Sequence, residues 1–163
     1  MVSYESNGKK FNFRVSGIIY DKNHTQILIH QIKGYDFWLL PGGRVELLEN
    51  TRDAIERELK EELGIDFEAQ NLFSVNENFF NLFNKKYHEI GFFFIVKPRA
   101  NDYKKFELMC KRSEFTGVEG EKYIFKWAKL NDLKDIDFRP HCVVNKIINN
   151  DSKVCNHYTV DEL

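Results

Sequence analysis

GRVELLENTRDAIERELKEELGI, residues 43–65, is the stretch of this 163-residue chain that decides its fold. An apolar residue recurs every four positions, at Ile55, Leu59 and Leu63. This spacing predicts an amphipathic helix whose apolar stripe packs against a hydrophobic core. Asn50 or Thr51 can cap the N-terminus of the helix, and Gly64 is a typical residue just after a helix C-terminus.

The same helix carries three carboxylates on one side, because Glu58, Glu61 and Glu62 are spaced i, i+3 and i+4. Like charges at this spacing weaken a helix by a few tenths of a kcal/mol per pair. A hard divalent cation such as Mg²⁺ relieves that repulsion, because it prefers carboxylate oxygens. A solvated charged face is the more common explanation of a glutamate-rich helix, so the helix alone leaves both interpretations open.

The residues around the three glutamates favour the metal site. Five residues separate Gly43 from Glu49, and seven more lead to Arg57, which Glu-Leu-Lys-Glu-Glu-Leu-Gly-Ile follows. This spacing resembles the Nudix box, and every fixed position of the box pattern is matched. The lead-in LPGG at residues 40–43 and the order of elements over about residues 11–149 are also similar to MutT-like members of that family.

The resemblance implies a hydrolase that depends on Mg²⁺, with Mn²⁺ as a substitute. The metal ligands that it implies are three glutamates and one backbone carbonyl: Glu58, Glu61, Glu62 and Gly43. Arg57 matches the arginine that orients the box carboxylates, so we count it with the glutamates as catalytic, and Glu49 matches its structural partner. In such a site a metal-activated water attacks phosphorus, and a carboxylate accepts the proton of that water.

Strand-forming segments lie on both sides of the box helix and end at turns: residues 11–20, 26–32, 72–83, 88–96 and 122–130. A last helix is predicted over residues 139–148, with Pro140 in its first turn. This order predicts a Nudix-type α/β/α sandwich, with a mixed β-sheet on which the box helix packs. We expect a single domain over residues 1–163, with its core at about residues 11–149.

The box does not identify the general base, and two glutamates outside it are candidates. Glu119 lies in a polar segment between Gly117 and Gly120, a region from which Nudix enzymes often supply a further metal ligand or base. Glu89 lies on a predicted strand and competes with Glu119 for this role. Each has a simpler explanation, since loops are polar and one face of a strand is often solvated. We count Glu119 among the catalytic candidates.

The formal net charge of the chain is −1, so it lacks the basic surplus that proteins use to bind nucleic-acid polymers. The predicted partner is a small nucleotide or another diphosphate, and the sequence leaves a homodimer open. Residues 1–14 contain no apolar signal core, and no apolar run approaches the roughly 20 residues that span a bilayer. We therefore expect a cytoplasmic protein without a membrane segment.

Three functions are compatible with an intact box. The leading prediction is hydrolysis of a nucleoside diphosphate linked to another moiety. The alternatives are hydrolysis of a non-nucleotide diphosphate and a non-catalytic nucleotide-sensing module on the same fold. The complete set of three glutamates argues against the sensing module, whereas the choice of substrate depends on loops outside the box.

Overall fold

The computed structural model describes residues 1–149 and, for residues 156–162, the path of the backbone. In chain order the elements are β1 (Ser3–Ser6), β2 (Lys9–Ile19), β3 (Gln26–Ile32), α1 (Thr51–Leu63), β4 (Phe67–Leu82), β5 (Lys85–Pro98), α2 (Tyr103–Met109), β6 (Glu114–Gly117), β7 (Gly120–Lys129), α3 (His141–Ile148) and β8 (Asn156–Glu162). Within the described residues the strands form a five-stranded sheet, β1-β2-β5-β4-β8, and a three-stranded sheet, β3-β7-β6.

The five-stranded sheet is mixed, as the sequence predicts. β2 runs parallel to β5, and β4 runs antiparallel to β5. The β4–β5 hairpin turns at Phe83 and Asn84, whose φ angles are 50° and 61°. Positive φ at both central residues is typical of the tight turns that match the twist of antiparallel strands. This hairpin sets β4 and β5 in register and thereby determines which of their side chains share a face.

Two hydrophobic cores lie on opposite faces of the strands, because successive side chains of a strand alternate between faces. On β2, Val15 and Ile19 join the core that contains Ile55 and Leu59 of α1. Ile18, between them, joins the core that contains helix α3. Helices therefore cover both faces, and the predicted α/β/α sandwich is confirmed.

Helix α1 begins and ends where the sequence predicts. The Asn50 side chain accepts hydrogen bonds from the backbone N–H groups of Arg52 and Asp53, both at 3.0 Å. Gly64 follows the helix with a φ of 69°, a left-handed conformation that glycine adopts without a steric penalty. Both ends are therefore determined by local residues, and these ends fix the positions of the glutamates along the helix.

Several elements were absent from the sequence prediction: β1, α2, β6 and β8. β1 and β6 have four residues each and α2 has seven, which is too short for a clear hydrophobic period. Segment 116–121, predicted as a polar loop, instead contains the end of β6, a tight turn at Val118 and Glu119, and the start of β7. Residues 150–155 and 163, which belong to the predicted domain, lie outside the described residues. Across the described part of the chain, no helix is long and apolar enough to span a bilayer.

Candidate active site

Glu62, in the last turn of α1, is the most deeply buried glutamate of the box, with a relative exposure of 2%. One of its oxygens, Oε2, accepts a hydrogen bond from the backbone N–H of Gly42 at 3.2 Å. The other oxygen, Oε1, is buried and has no hydrogen-bond partner among the described residues. Burial raises the pKa of Glu62 to about 8, although the positive charge of Arg14 opposes this shift. A buried carboxylate with a free oxygen is costly unless a cation lies beside it.

Glu58 lies one turn earlier on α1, and its carboxylate lies directly against the α-carbon of Gly43. A Cβ atom at position 43 would overlap that carboxylate, so any other residue there would force the end of the Glu58 side chain to move. Burial raises the pKa of Glu58, and the hydrogen bond from Arg57 lowers it. The carbonyl of Gly43 accepts a hydrogen bond from Val15 N at 2.9 Å, which leaves one of its two lone pairs for another partner.

Arg57 joins three of the box carboxylates. Its Nε and Nη2 donate to the two oxygens of Glu49, at 2.7 Å and 2.9 Å. Its Nη1 lies 3.0 Å from Glu58 Oε1 and 3.3 Å from Glu61 Oε2. The bidentate pair with Glu49 fixes the plane of the guanidinium and therefore the position of the Glu58 carboxylate.

Glu61 differs from its two neighbours, because 54% of its side chain is exposed and Arg57 is its ion-pair partner. Among the described residues, no three His, Cys, Asp or Glu side chains are already gathered closely enough to form a complete metal site. The structure thus brings together Glu58, Glu62 and Gly43, and it leaves Glu61 at the outer edge.

This cluster has the chemistry of a hard divalent cation site. All its donor atoms are oxygens, which Mg²⁺ prefers, and one of them is a buried carboxylate oxygen without a partner. The contact between Gly43 and Glu58 brings a backbone carbonyl close to a carboxylate without an intervening side chain. The residues present therefore fit the metal that the box implies.

Glu119 lies in the turn between β6 and β7, close to the C-terminal end of α1. The N–H of its neighbour Val118 donates to the carbonyl of Glu62 at 2.8 Å. Gly117 approaches the same carbonyl so closely that a Cβ atom there would overlap it. The negative charge of Glu119 contributes to the raised pKa of Glu62, and Lys122 is its ion-pair partner. Glu119 is therefore near the buried glutamate, but in a tight turn that packs against the helix.

Glu89 lies elsewhere, on β5, in register with Asn12 of β2 and Asn78 of β4. Burial raises its pKa, while the charge of Arg14 and a hydrogen bond with Asn12 lower it. Glu89 lines a pocket between the sheet and the start of α3, together with Phe37, Leu39, Asn78, Phe79, Phe80, Leu82, Arg139 and Pro140. These contacts place Glu89 in a pocket with three phenylalanines among its lining residues.

Replacing Glu119 by glutamine separates the two base candidates. If Glu119 accepts the proton of the attacking water, the Glu119→Gln variant should lose about a hundredfold in kcat. Its KM and its thermal stability should stay nearly unchanged, because the residue is exposed and the turn does not depend on its charge. Steady-state kinetics from neutral to alkaline pH provide the measurement.

The matched control is Glu121→Gln, since Glu121 is a highly exposed glutamate two residues away and should change little. Glu89→Gln tests the competing residue in the same assay. Wild-type kcat for Glu119→Gln across the pH range would show that Glu119 is a solvated turn residue.

Two residues next to the cluster had no role in the sequence analysis. His30 of β3 is fully buried, its Nδ1 lies 3.7 Å from Glu62 Oε2, and its ring stacks on Tyr123. Burial holds the pKa of His30 well below its usual value, and the charge of Arg14 lowers it further. Arg14 of β2 donates from Nη2 to the carbonyl of Gly42 at 2.8 Å. The signal for Arg14 in the sequence is a charge between the apolar residues Phe13 and Val15 of a predicted strand.

Comparisons with known proteins agree with this geometry. The NUDIX domain model matches residues 10–144. The 8-oxo-dGTP diphosphatase of Buchnera aphidicola subsp. Schizaphis graminum is 31% identical over 131 residues, which cover 79% of this chain and 85% of that protein. The MutT protein from Bacillus halodurans has a TM-score of 0.58 at 17% identity, covering 91% of this chain and 90% of that one. That structural likeness shows the shared fold, and the family model and the relative show that the chain belongs to the Nudix hydrolase family as a MutT-like member.

Proposed function

We propose that this Nudix hydrolase cleaves a nucleoside diphosphate linked to another moiety. In this proposal Mg²⁺, or Mn²⁺ in its place, is held by Glu58, Glu61, Glu62 and the carbonyl of Gly43. The observation that carries the proposal is the Glu62 carboxylate, which is buried beside Glu58 with one oxygen unpartnered. A bound cation gives that oxygen a partner and removes the repulsion among the carboxylates.

Each residue has a distinct task in this reaction. The metal, when bound, neutralises charge on the phosphates and acidifies a water. Arg57 holds the Glu58 carboxylate in place through its paired contacts with Glu49. Glu119 is our first candidate for the group that accepts the proton, because its turn is hydrogen-bonded to the carbonyl of Glu62 through Val118 and its charge contributes to the raised pKa of Glu62. The products are a nucleoside monophosphate and a phosphorylated second group, or pyrophosphate if the substrate is a triphosphate.

The pocket around Glu89 supports a nucleotide rather than a non-nucleotide diphosphate. Its aromatic walls, such as Phe37 and Phe80, suit the flat faces of a base. Asn78 Oδ1 is buried there without a partner among the side chains that the structure describes, and Glu89 supplies a second polar group, so the pocket can bind the polar edge of a base. An isoprenoid tail would leave the Asn78 oxygen unpaired, at a cost of about 1–3 kcal/mol. The Buchnera relative is also named for a nucleotide substrate.

A substrate panel tests the proposal. We expect a nucleoside monophosphate among the products when the protein is incubated with Mg²⁺ and nucleoside triphosphates, nucleotide sugars or dinucleotides. Turnover should stop in excess chelator and return when Mg²⁺ or Mn²⁺ is restored. Without any nucleotide, millimolar Mg²⁺ should also raise the melting temperature, because a ligand of the folded state stabilises it.

Three other outcomes contradict different parts of the proposal. Tight nucleotide binding without turnover in the presence of metal would support a sensing module. Cleavage restricted to non-nucleotide diphosphates would show that the pocket does not take a base. Full turnover in chelator would remove the metal from the mechanism.

A further inference from the structure

Arg14 lies on β2 between the pocket and the box glutamates. Two residues before it on the same strand, Asn12 bonds to Glu89 at the pocket. The Arg14 guanidinium donates to the carbonyl of Gly42, whose own N–H donates to Glu62. The side chain thus contacts the backbone that binds the buried glutamate, and it lies on the same face of β2 as Asn12, the neighbour of Glu89.

The charge of Arg14 acts on both regions. Burial raises the pKa of Glu58, Glu62 and Glu89, and the positive charge of Arg14 opposes that rise in all three. Two of these carboxylates belong to the box and the third lines the pocket. The geometry agrees, because Arg14 Nη2 lies 2.8 Å from the Gly42 carbonyl, Gly42 N lies 3.2 Å from Glu62 Oε2, and Glu89 is in register with Asn12, two residues before Arg14.

Arg14 also has hydrogen-bonding capacity to spare. A guanidinium has five N–H groups, and among the described residues the side chain of Arg14 makes one hydrogen bond, to Gly42. Within residues 1–149 it has no ion-pair partner, although it is partly buried. A planar cation with free donors is well suited to a phosphate, to which it can donate two parallel hydrogen bonds.

We propose that Arg14 binds the phosphate attached to the sugar of the substrate, and so selects nucleoside 5′-phosphates over bare diphosphates. This inference rests on the proposed function, which places the base in the pocket and the anhydride at the glutamates. A substrate that spans these two regions carries its first phosphate past Arg14. The contact is made by the protein itself, so it should add affinity even without a metal.

Binding measurements in chelator test this role. Calorimetry would compare adenosine, guanosine, cytidine, uridine and 8-oxo-2′-deoxyguanosine with their 5′-monophosphates. At least one monophosphate should bind about tenfold more tightly than its nucleoside, as a charge-assisted contact predicts. In Arg14→Gln this gain should fall to about twofold or less, whereas the affinity for the nucleoside should not change. The neighbouring Arg44→Gln is the matched control and should keep the gain, since its guanidinium points to Met1.

A second measurement covers the case in which Arg14→Gln does not fold. In the unmodified protein, the guanidinium Nε–H resonance of Arg14, assigned by its loss in Arg14→Lys, should shift with the monophosphate and not with the nucleoside. The proposal is overturned if that resonance does not respond, if folded Arg14→Gln keeps the gain, or if no monophosphate binds more tightly than its nucleoside. The protein could bind a monophosphate more tightly than its nucleoside, through Arg14, and yet cleave no nucleotide. That result would contradict the proposed function and leave this inference intact.

Discussion

Replacing Glu58 or Glu62 by glutamine should lower kcat by at least about a hundredfold, comparable to the loss of a key electrostatic stabiliser. Each change removes one negative charge from the cation site and nearly preserves the shape of the side chain. Glu62 should be the more sensitive, because its unpartnered oxygen has no substitute among its neighbours. Steady-state kinetics in saturating Mg²⁺ are the direct measurement.

The matched control is Glu56→Gln, which lies on the same helix but pairs with Arg99 and should keep turnover near that of the unmodified protein. In metal-free buffer, the melting temperatures of Glu58→Gln and Glu62→Gln should stay level or rise. The reason is that carboxylate repulsion and the burial of charge both oppose folding. Near-normal turnover in both variants would refute the assignment of the box glutamates.

Replacing Gly43 by alanine should abolish most of the activity, because the added methyl group occupies the position of the Glu58 carboxylate. Forcing an extra carbon into a packed site costs about 1–3 kcal/mol of unfolding free energy. Gly43 is not among the glycines with positive φ, so backbone strain does not contribute to this cost. Denaturant unfolding in metal-free buffer measures the stability, and turnover measures the displacement of Glu58.

A double-mutant cycle with Glu58→Ala isolates the contact. In the Glu58→Ala background the methyl group has room, so Gly43→Ala should cost less than half as much stability as it does alone. An equal cost in both backgrounds would show that Glu58 does not lie against Gly43.

The box helix was predictable because its determinants are local. A period of 3.6 residues places Glu58, Glu61 and Glu62 on one side, and the residues that end the helix, Asn50 and Gly64, are adjacent to it. The long strands were predictable for the same reason, since the alternation of apolar and polar residues is visible within each strand. The short elements β1 and β6 were not, because four residues are too few for a periodic signal.

The surroundings of the box depend on strand register, which joins residues far apart in the chain. Arg14 lies opposite Arg44, and Glu89 lies between Asn12 and Asn78. A shift of one residue in any pairing would turn these side chains to the other face. The sequence alone therefore could not indicate that Glu89 faces a pocket or that Arg14 lies between the pocket and the glutamates.

The sequence by itself determined the family and the box helix, and it predicted the set of oxygen donors, because all three depend on residues at short, fixed spacings. Only the tertiary structure decided how unequal the box glutamates are. Glu62 is buried because the Gly42 backbone and His30 cover it, whereas Glu61, one residue earlier, is exposed. The tertiary structure also decided that Glu119 lies in a tight turn. This turn packs against α1 because Gly117 has no side chain and can approach the carbonyl of Glu62. Such packing depends on contacts between distant segments, which no local pattern encodes.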